Sequence, residues 1–261
     1  MIDNQQLVLF MMILARVASF VATFPLFSRR QLPQMVKVGL SVALSIFWFG
    51  EIEAQFTGVA RDLSGLNTWM SILLIVKECT IGIALGTILG SLFWPAKIAG
   101  SYVGQELGLS LASISDPGSQ DSSTLLTRIF ESLAILVFFA INMHHFLVLA
   151  LHESFSWFYT QVGVLDFPTE QIVSMFNDSS DYGLLICAPL LIVSMLVTTA
   201  LAFLNKAAPS LNLFSVGMPL RAGLGIFLLV LFSPVLFTAI EAYFYRVQDD
   251  ITEFFRLMGT L

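Results

Sequence analysis

The sequence predicts an all-α membrane protein of about six apolar helical segments arranged as helical hairpins. Two observations carry this. The chain of 261 residues is 57% hydrophobic, with a mean hydropathy of +0.85, and only 11% of its residues are charged, against roughly 25% in an ordinary soluble domain. Its apolar residues, 24 Phe among them, also fall into discrete segments divided by charged or Pro-containing turns. A soluble protein of this length has no interior able to hide so much apolar surface.

The first segment, residues 7–27, is broken by Arg16, and the second, 38–50, is short and uncharged. The third is very long, 63–96, with Lys77 and Glu78 in its middle. The fourth covers 125–151, the fifth 182–204 and the sixth 222–245. A clean span needs about 20 apolar residues to cross roughly 30 Å of hydrocarbon, and the fifth and sixth meet this without difficulty. The third, if continuous, is about 50 Å long, more than one bilayer needs. Hydropathy therefore counts segments here without proving that each one spans lipid. No cleavable signal peptide is expected, because Asp3 replaces a basic start and Arg16 interrupts the apolar run.

The loops alternate in charge. Residues 28–37 carry Arg29, Arg30 and Lys37 with no acid, and 205–221 carry Lys206 and Arg221 with no acid. Residues 51–62 are mainly acidic, and 152–181 carry Glu153, Asp166, Glu170, Asp178 and Asp181 with no Lys or Arg. The positive-inside rule then places the first, third and fifth loops in the cytoplasm and both termini outside. The first and last hairpins share a plan of apolar helix, basic Pro-containing turn and apolar helix. Residues 166–181 read either as a short amphipathic helix at the outer interface or as an acidic loop.

Small residues recur every fourth position at Ala96, Gly100, Gly104, Gly108 and Ala112, and upstream at Gly82, Gly86 and Gly90. In lipid, such spacing lets helix backbones approach closely. The row runs into a polar stretch, 113–123, rich in Ser and Asp and containing Asp116-Pro117-Gly118. A polar backbone between membrane segments must be buried in protein or line a water-filled cavity. A packing row feeding a polar constriction fits a pore component; an ordinary helix followed by an ordinary aqueous loop fits as well.

Charges inside apolar segments are costly unless paired or facing a cavity. Arg16, Lys77, Glu78, Glu106, Arg128 and Glu131 qualify. Arg128 and Glu131, three apart on a helix, can pair with each other. Lys77 and Glu78 are adjacent, point to different faces and need separate partners on another helix or subunit. Both a proton relay and structural pairing between helices accommodate them. His144, His145 and His152 gather near the end of the fourth segment, yet no third convergent ligand is offered and Ser156 stands where a zincin motif needs its second His. No metal or cofactor is expected. The sequence holds no P-loop, G-x-S-x-G or dinucleotide fingerprint, so an enzyme is not expected. The formal net charge of −6 speaks against nucleic acid. Cys79 and Cys187 lie in separate apolar segments and read as small packing residues. The aromatic residues at segment ends, Trp48, Trp69, Trp94, Trp157, Tyr159, Tyr243 and Tyr245, fit an interfacial belt.

Three blocks resemble one family: Gly104-Gln-Glu-Leu-Gly-Leu-Ser-Leu-Ala-Ser-Ile-Ser-Asp-Pro117, the Ser28-Arg-Arg turn followed by Pro33 and Val38-Gly39, and Ala207-Ala-Pro-Ser-Leu-Asn-Leu-Phe-Ser-Val-Gly-Met-Pro-Leu220. They are similar to the flagellar biosynthetic FliR proteins and their counterparts in virulence injectisomes, nearly end to end in length and segment order. The resemblance implies a single FliR-type membrane domain over 1–261, comprising N-terminal helices 1–151 with a plug loop at 108–123 and a C-terminal hairpin at 182–245. It implies a core subunit of the type III export gate, packed with FliP and FliQ in a hetero-oligomeric helical assembly in the bacterial inner membrane, at the flagellar basal body. Much of that assembly stands above the ordinary bilayer plane, which suits the poor fit of the first three segments to bilayer length. The implied cargo is unfolded flagellar protein. Carried over by motif, the plug comprises Gly108, Leu109, Leu111, Ile114, Asp116, Pro117 and Gly118, and FlhB meets a cytoplasmic turn containing Lys206, Pro209, Asn212, Phe214, Gly217 and Pro219. The alternative is a secondary transporter of a small solute or ion, coupled through Lys77, Glu78 and Glu106, with a binding site at Asp116-Pro117.

Overall fold

Where hydrocarbon offers no hydrogen-bond partner, a chain this apolar satisfies its backbone by coiling on itself. The computed structural model describes residues 4–27, 32–55, 68–108, 125–160, 169–207 and 213–258, and among these it shows helices and no strand. The helices are α1 (Asn4–Thr23), α2 (Gln34–Gln55), α3 (Thr68–Gly90), α4 (Trp94–Glu106), α5 (Leu125–Ala140), α6 (Met143–Thr160), α7 (Thr169–Ala207) and α8 (Leu213–Met258). Single 3₁₀ turns occur at Pro25–Phe27 and Ser91–Phe93. Among the described residues five stretches are long and apolar enough to cross a membrane, six if the pair α5–α6, bent by 77°, is one span.

The chain divides into two compact units, one gathering residues 1–90, 147–167 and 258–261, the other 91–146 and 168–257. In the first, α1 packs on α2 and α3, burying Ile13, Val17, Phe20 and Phe24. The row Gly82, Gly86, Gly90 is what lets α3 lie on α1. A Cβ at Gly82 would fall on Ser19 Oγ and the Arg16 carbonyl, one at Gly86 would stand 3.1 Å from the Phe20 carbonyl, and one at Gly90 would stand 2.8 Å from Pro25 Cδ. Trp48 of α2 meets Phe155 of α6 with ring centroids 5.7 Å apart.

The second unit centres on Phe93, Phe138 and Phe244, all buried, whose ring centroids lie 5.6, 6.1 and 6.2 Å apart. Helix α4 packs on α5 through Gly100, where a Cβ would stand 2.6 Å from Thr127 Cα, and on α7 through Gly183, which abuts Ile98. The buried Tyr243 hydroxyl lies 2.8 Å from Ser179 Oγ and 3.3 Å from the Ser91 carbonyl oxygen, so α8, α7 and the turn before α4 share one polar contact.

Three expectations change. The third segment is not one rod: it breaks at the 3₁₀ turn Ser91–Phe93, just before Pro95, which cannot donate to a continuing ladder. The fourth segment is two helices. Asn142 takes φ 58°, a left-handed conformation that Asn tolerates better than most residues, and α5 stops there. The described part of 166–181 is neither an interfacial helix nor a loop, since α7 runs unbroken from Thr169. Met175, Ser179, Gly183, Ile186, Cys187 and Leu190 form a buried helical stripe that continues through the polar stretch. The acids stand beside it, and Asp178 lies 3.7 Å from Arg246 of α8.

Helix α8 carries Pro219 and Pro234 inside it. Pro234 lacks the N–H that would bond the Val230 carbonyl, and Ser233 Oγ donates to that same carbonyl at 2.9 Å.

The α1–α3 contact yields a prediction. Gly82→Ala lowers the unfolding midpoint of the purified chain in detergent, with an overpacking cost of about 1–3 kcal/mol. Gly39→Ala, where an added methyl meets nothing within 4 Å, leaves the midpoint unchanged or raises it. Equal midpoints for the two variants would contradict the packing role.

Candidate functional site

A charge on an apolar helix must find its partner inside the protein. Arg16, at the centre of α1, is fully buried and donates from Nε to Glu78 Oε2 of α3 at 2.6 Å. Its Nη1 donates to the Ser154 carbonyl of α6 at 2.6 Å and reaches Ser154 Oγ at 3.3 Å. The guanidinium carbon stands 4.4 Å from the centre of the Phe155 ring. One side chain thus joins three helices through charge-assisted bonds, the strong class. Ser154 itself donates to the Leu151 carbonyl. Its part in the node was not legible, because a lone Ser in an apolar helix carries no pattern.

The other charges are placed differently. Lys77, next to Glu78, lies on a half-exposed face of α3. Arg128 is exposed and Glu131 half-buried on α5, away from the stripe of Thr127, Phe130 and Ala134 that faces inward. Glu106 ends α4, and its Oε1 accepts from Thr198 Oγ1 of α7 at 3.4 Å. His152 Nδ1 is 3.9 Å from Glu51 Oε2. His144 and His145 are neighbours with ring centroids 4.2 Å apart. Among the described residues no three His, Cys, Asp or Glu side chains gather as a metal would require.

Gly100 and Gly104 are buried on α4. Gly108 does not extend their row: α4 stops at Glu106, and Gly108 takes φ +73°, with its N–H donating to the Gln105 carbonyl. Glycine suits this left-handed position at a helix end because it has no Cβ. The loop residues Leu109, Leu111, Ile114, Asp116, Pro117 and Gly118 lie outside the described residues, as do Pro209 and Asn212. The turn expected over 207–220 is shorter than that. Helix α8 begins at Leu213, so Phe214, Gly217 and Pro219 belong to its first turns, with Gly217 buried and Pro219 exposed, while Lys206 is exposed at the end of α7.

The Arg16 node predicts a specific stability pattern. Glu78→Gln strands a buried guanidinium and costs about 3–5 kcal/mol, whereas the apolar double replacement Arg16→Met with Glu78→Leu costs less than the two single changes together. Chemical unfolding of the detergent-solubilised chain and its variants measures this coupling. Additive effects would mean that the pair does not join the helices.

The sequence model of the family described as bacterial export proteins, family 1, matches residues 7–247. The flagellar biosynthetic protein FliR of Bacillus subtilis (strain 168) is 26% identical over 254 residues, covering 96% of this chain and 95% of that protein. FliR of Escherichia coli (strain K12) is 29% identical over 243 residues, with 92% and 90% covered. FliR of Aquifex aeolicus (strain VF5) is 27% identical over 231 residues, with 88% and 86% covered. The family match reaches into every helix described above and includes both Arg16 and Glu78. The chain belongs to the bacterial export proteins, family 1.

Proposed function

We propose that this chain acts as one FliR-type membrane domain and is a non-enzymatic channel subunit of the flagellar type III export gate. The observation that supports this most is the family match over residues 7–247, which includes the loop between α4 and α5 as well as the helices. In this reading the subunit lies in the bacterial inner membrane at the flagellar basal body, packs with FliP and FliQ, receives FlhB at the turn between α7 and α8, and passes unfolded flagellar proteins. Nothing in that task calls for bond making, so no cofactor enters it.

The loop after Gly108 closes the channel. Its Ser, Asp and Gln content lets side chains or lumen water satisfy a backbone that lipid cannot. Its apolar positions Leu109, Leu111 and Ile114 form the seal, since a hydrophobic constriction closes a pore by dewetting. Of the three coupling groups that a secondary transporter would draw on, Lys77, Glu78 and Glu106, Glu78 is buried against Arg16, which favours a structural role for it.

Deleting residues 113–119 leaves the complex assembled with FliP and FliQ and makes the cell membrane leak ions and small solutes. Co-purification through a tag on this chain establishes assembly, and growth with ion efflux reads the leak. A tight membrane around a fully assembled deletion variant would show that the loop is not the closure. A chain that purifies alone, without FliP or FliQ, would overturn the subunit assignment.

A further inference from the structure

Helices α1 and α2 close on each other at one end of their hairpin and stand apart at the other. Phe10 of α1 meets Phe49 of α2 with ring centroids 5.9 Å apart. Toward the turn, a groove of about 670 Å³ opens between the two helices, walled by Leu14 and Val21 on one side and by Val38 and Val42 on the other. About 10–15 Å³ holds one water, so this is space for a molecule. The polar residues of the groove divide into two sets. Thr23 Oγ1 donates to the Ser19 and Phe20 carbonyls of its own helix at 2.9 and 3.2 Å, and Ser41 Oγ donates to the Lys37 carbonyl at 2.8 Å, so both hydroxyl protons are used inside the helices. The second set is Gln34 and Lys37, in the first turn of α2. Among the described residues the Lys37 ammonium has no ion-pair partner, and the stretch 28–37 contains no acid. The groove is therefore apolar along its walls and cationic at the end near the turn.

We infer that this groove is a binding site for one anionic phospholipid, with an acyl chain between α1 and α2 and the phosphate at Lys37 and Gln34. The polarity of the space matches that ligand from end to end. Water along the apolar walls would lack hydrogen-bond partners. A purely apolar occupant would fill the depth and leave the cation at the rim without a counter-charge. Lysine at such a place lays its methylenes along apolar surface and presents its ammonium at headgroup level. The positive-inside rule assigns the basic stretch 28–37 to the cytoplasm, and the cytoplasmic leaflet is the one rich in anionic lipid. The groove owes its width to Ala18 and Ala22 of α1, where larger side chains would occupy the space. The inference uses α1 and α2 alone and stands apart from the channel reading.

The test uses the full chain, with the subunits that co-purify through its tag, in nanodiscs of phosphatidylcholine. These carry a trace of phosphatidylglycerol, or of phosphatidylcholine, with a diazirine on one acyl chain. Illumination is expected to attach the phosphatidylglycerol within residues 14–25 or 34–42, about fivefold more than the matching phosphatidylcholine, which is the weight of roughly one cation beside an anionic headgroup. Lys37→Gln is expected to bring the two lipids level, and Lys37→Arg to keep the preference. Ala18→Leu, which fills the groove, is expected to remove most of the label from both segments while label around the exposed Leu196 of α7 stays at the parent level. Excess inorganic phosphate is expected to leave the labelling in place, because the acyl chain and not the headgroup alone holds the lipid. Displacement by phosphate would reduce the site to an ion site and overturn the proposal. Equal labelling by the two lipids in the parent chain would also overturn it, as would a preference that survives Lys37→Gln. No label in either segment, the result if another subunit fills the groove, would do the same. A chain that purifies without FliP or FliQ yet keeps the lipid preference removes the gate reading and leaves this site standing.

Discussion

Hydrocarbon supplies neither hydrogen bonds nor counter-charges, so every polar group in an apolar stretch of this chain must find its partner within protein. That constraint organises the structure. Arg16 cannot stay on α1 without Glu78, and meeting Glu78 and Ser154 fixes which faces of α3 and α6 turn toward α1. Ser233 caps the carbonyl that Pro234 leaves free. Tyr243 reaches Ser179 and the Ser91 carbonyl instead of lipid. Glycine rows then bring the helices close enough for these bonds to be made.

The same constraint explains what was legible in the sequence. Apolar segments stand out because lipid demands them, and the glycine spacing at 82, 86 and 90 stands out because close backbones demand small residues. The paired charge Arg16 was conspicuous for the same reason. Its partner was not, since sequence spacing says nothing about which of Lys77 and Glu78 faces another helix. Helix limits were hidden for a different reason. Hydropathy reports contact with lipid, whereas a helix continues wherever its backbone ladder and buried stripe continue, as α7 does through Ser174, Asp178 and Asp181. The break at Asn142 depends on one residue accepting a left-handed conformation within an apolar run.

The arrangement suits a subunit that passes other chains. Large apolar side chains remain exposed along α2, α7 and α8, including Phe47, Leu185, Met195, Phe227 and Leu231, and these faces need lipid or neighbouring subunits to cover them. Structural charge is spent on joining helices of the chain itself, at Arg16 and Glu78. In the proposed gate, the polar loop after Gly108 is the part of this chain that cargo meets.

The most direct measurement is whether cargo touches that loop during transit. A photoreactive amino acid at Ile114, with a second at Leu196 on the exposed face of α7 as comparison, is placed in complexes exporting a flagellar protein whose translocation is stalled midway. A channel closed by this loop predicts an adduct to the stalled cargo from position 114 and none from position 196. Stalled cargo that yields no adduct at 114, or yields equal adducts at both positions, would contradict the assignment of this chain as the gate's closing subunit.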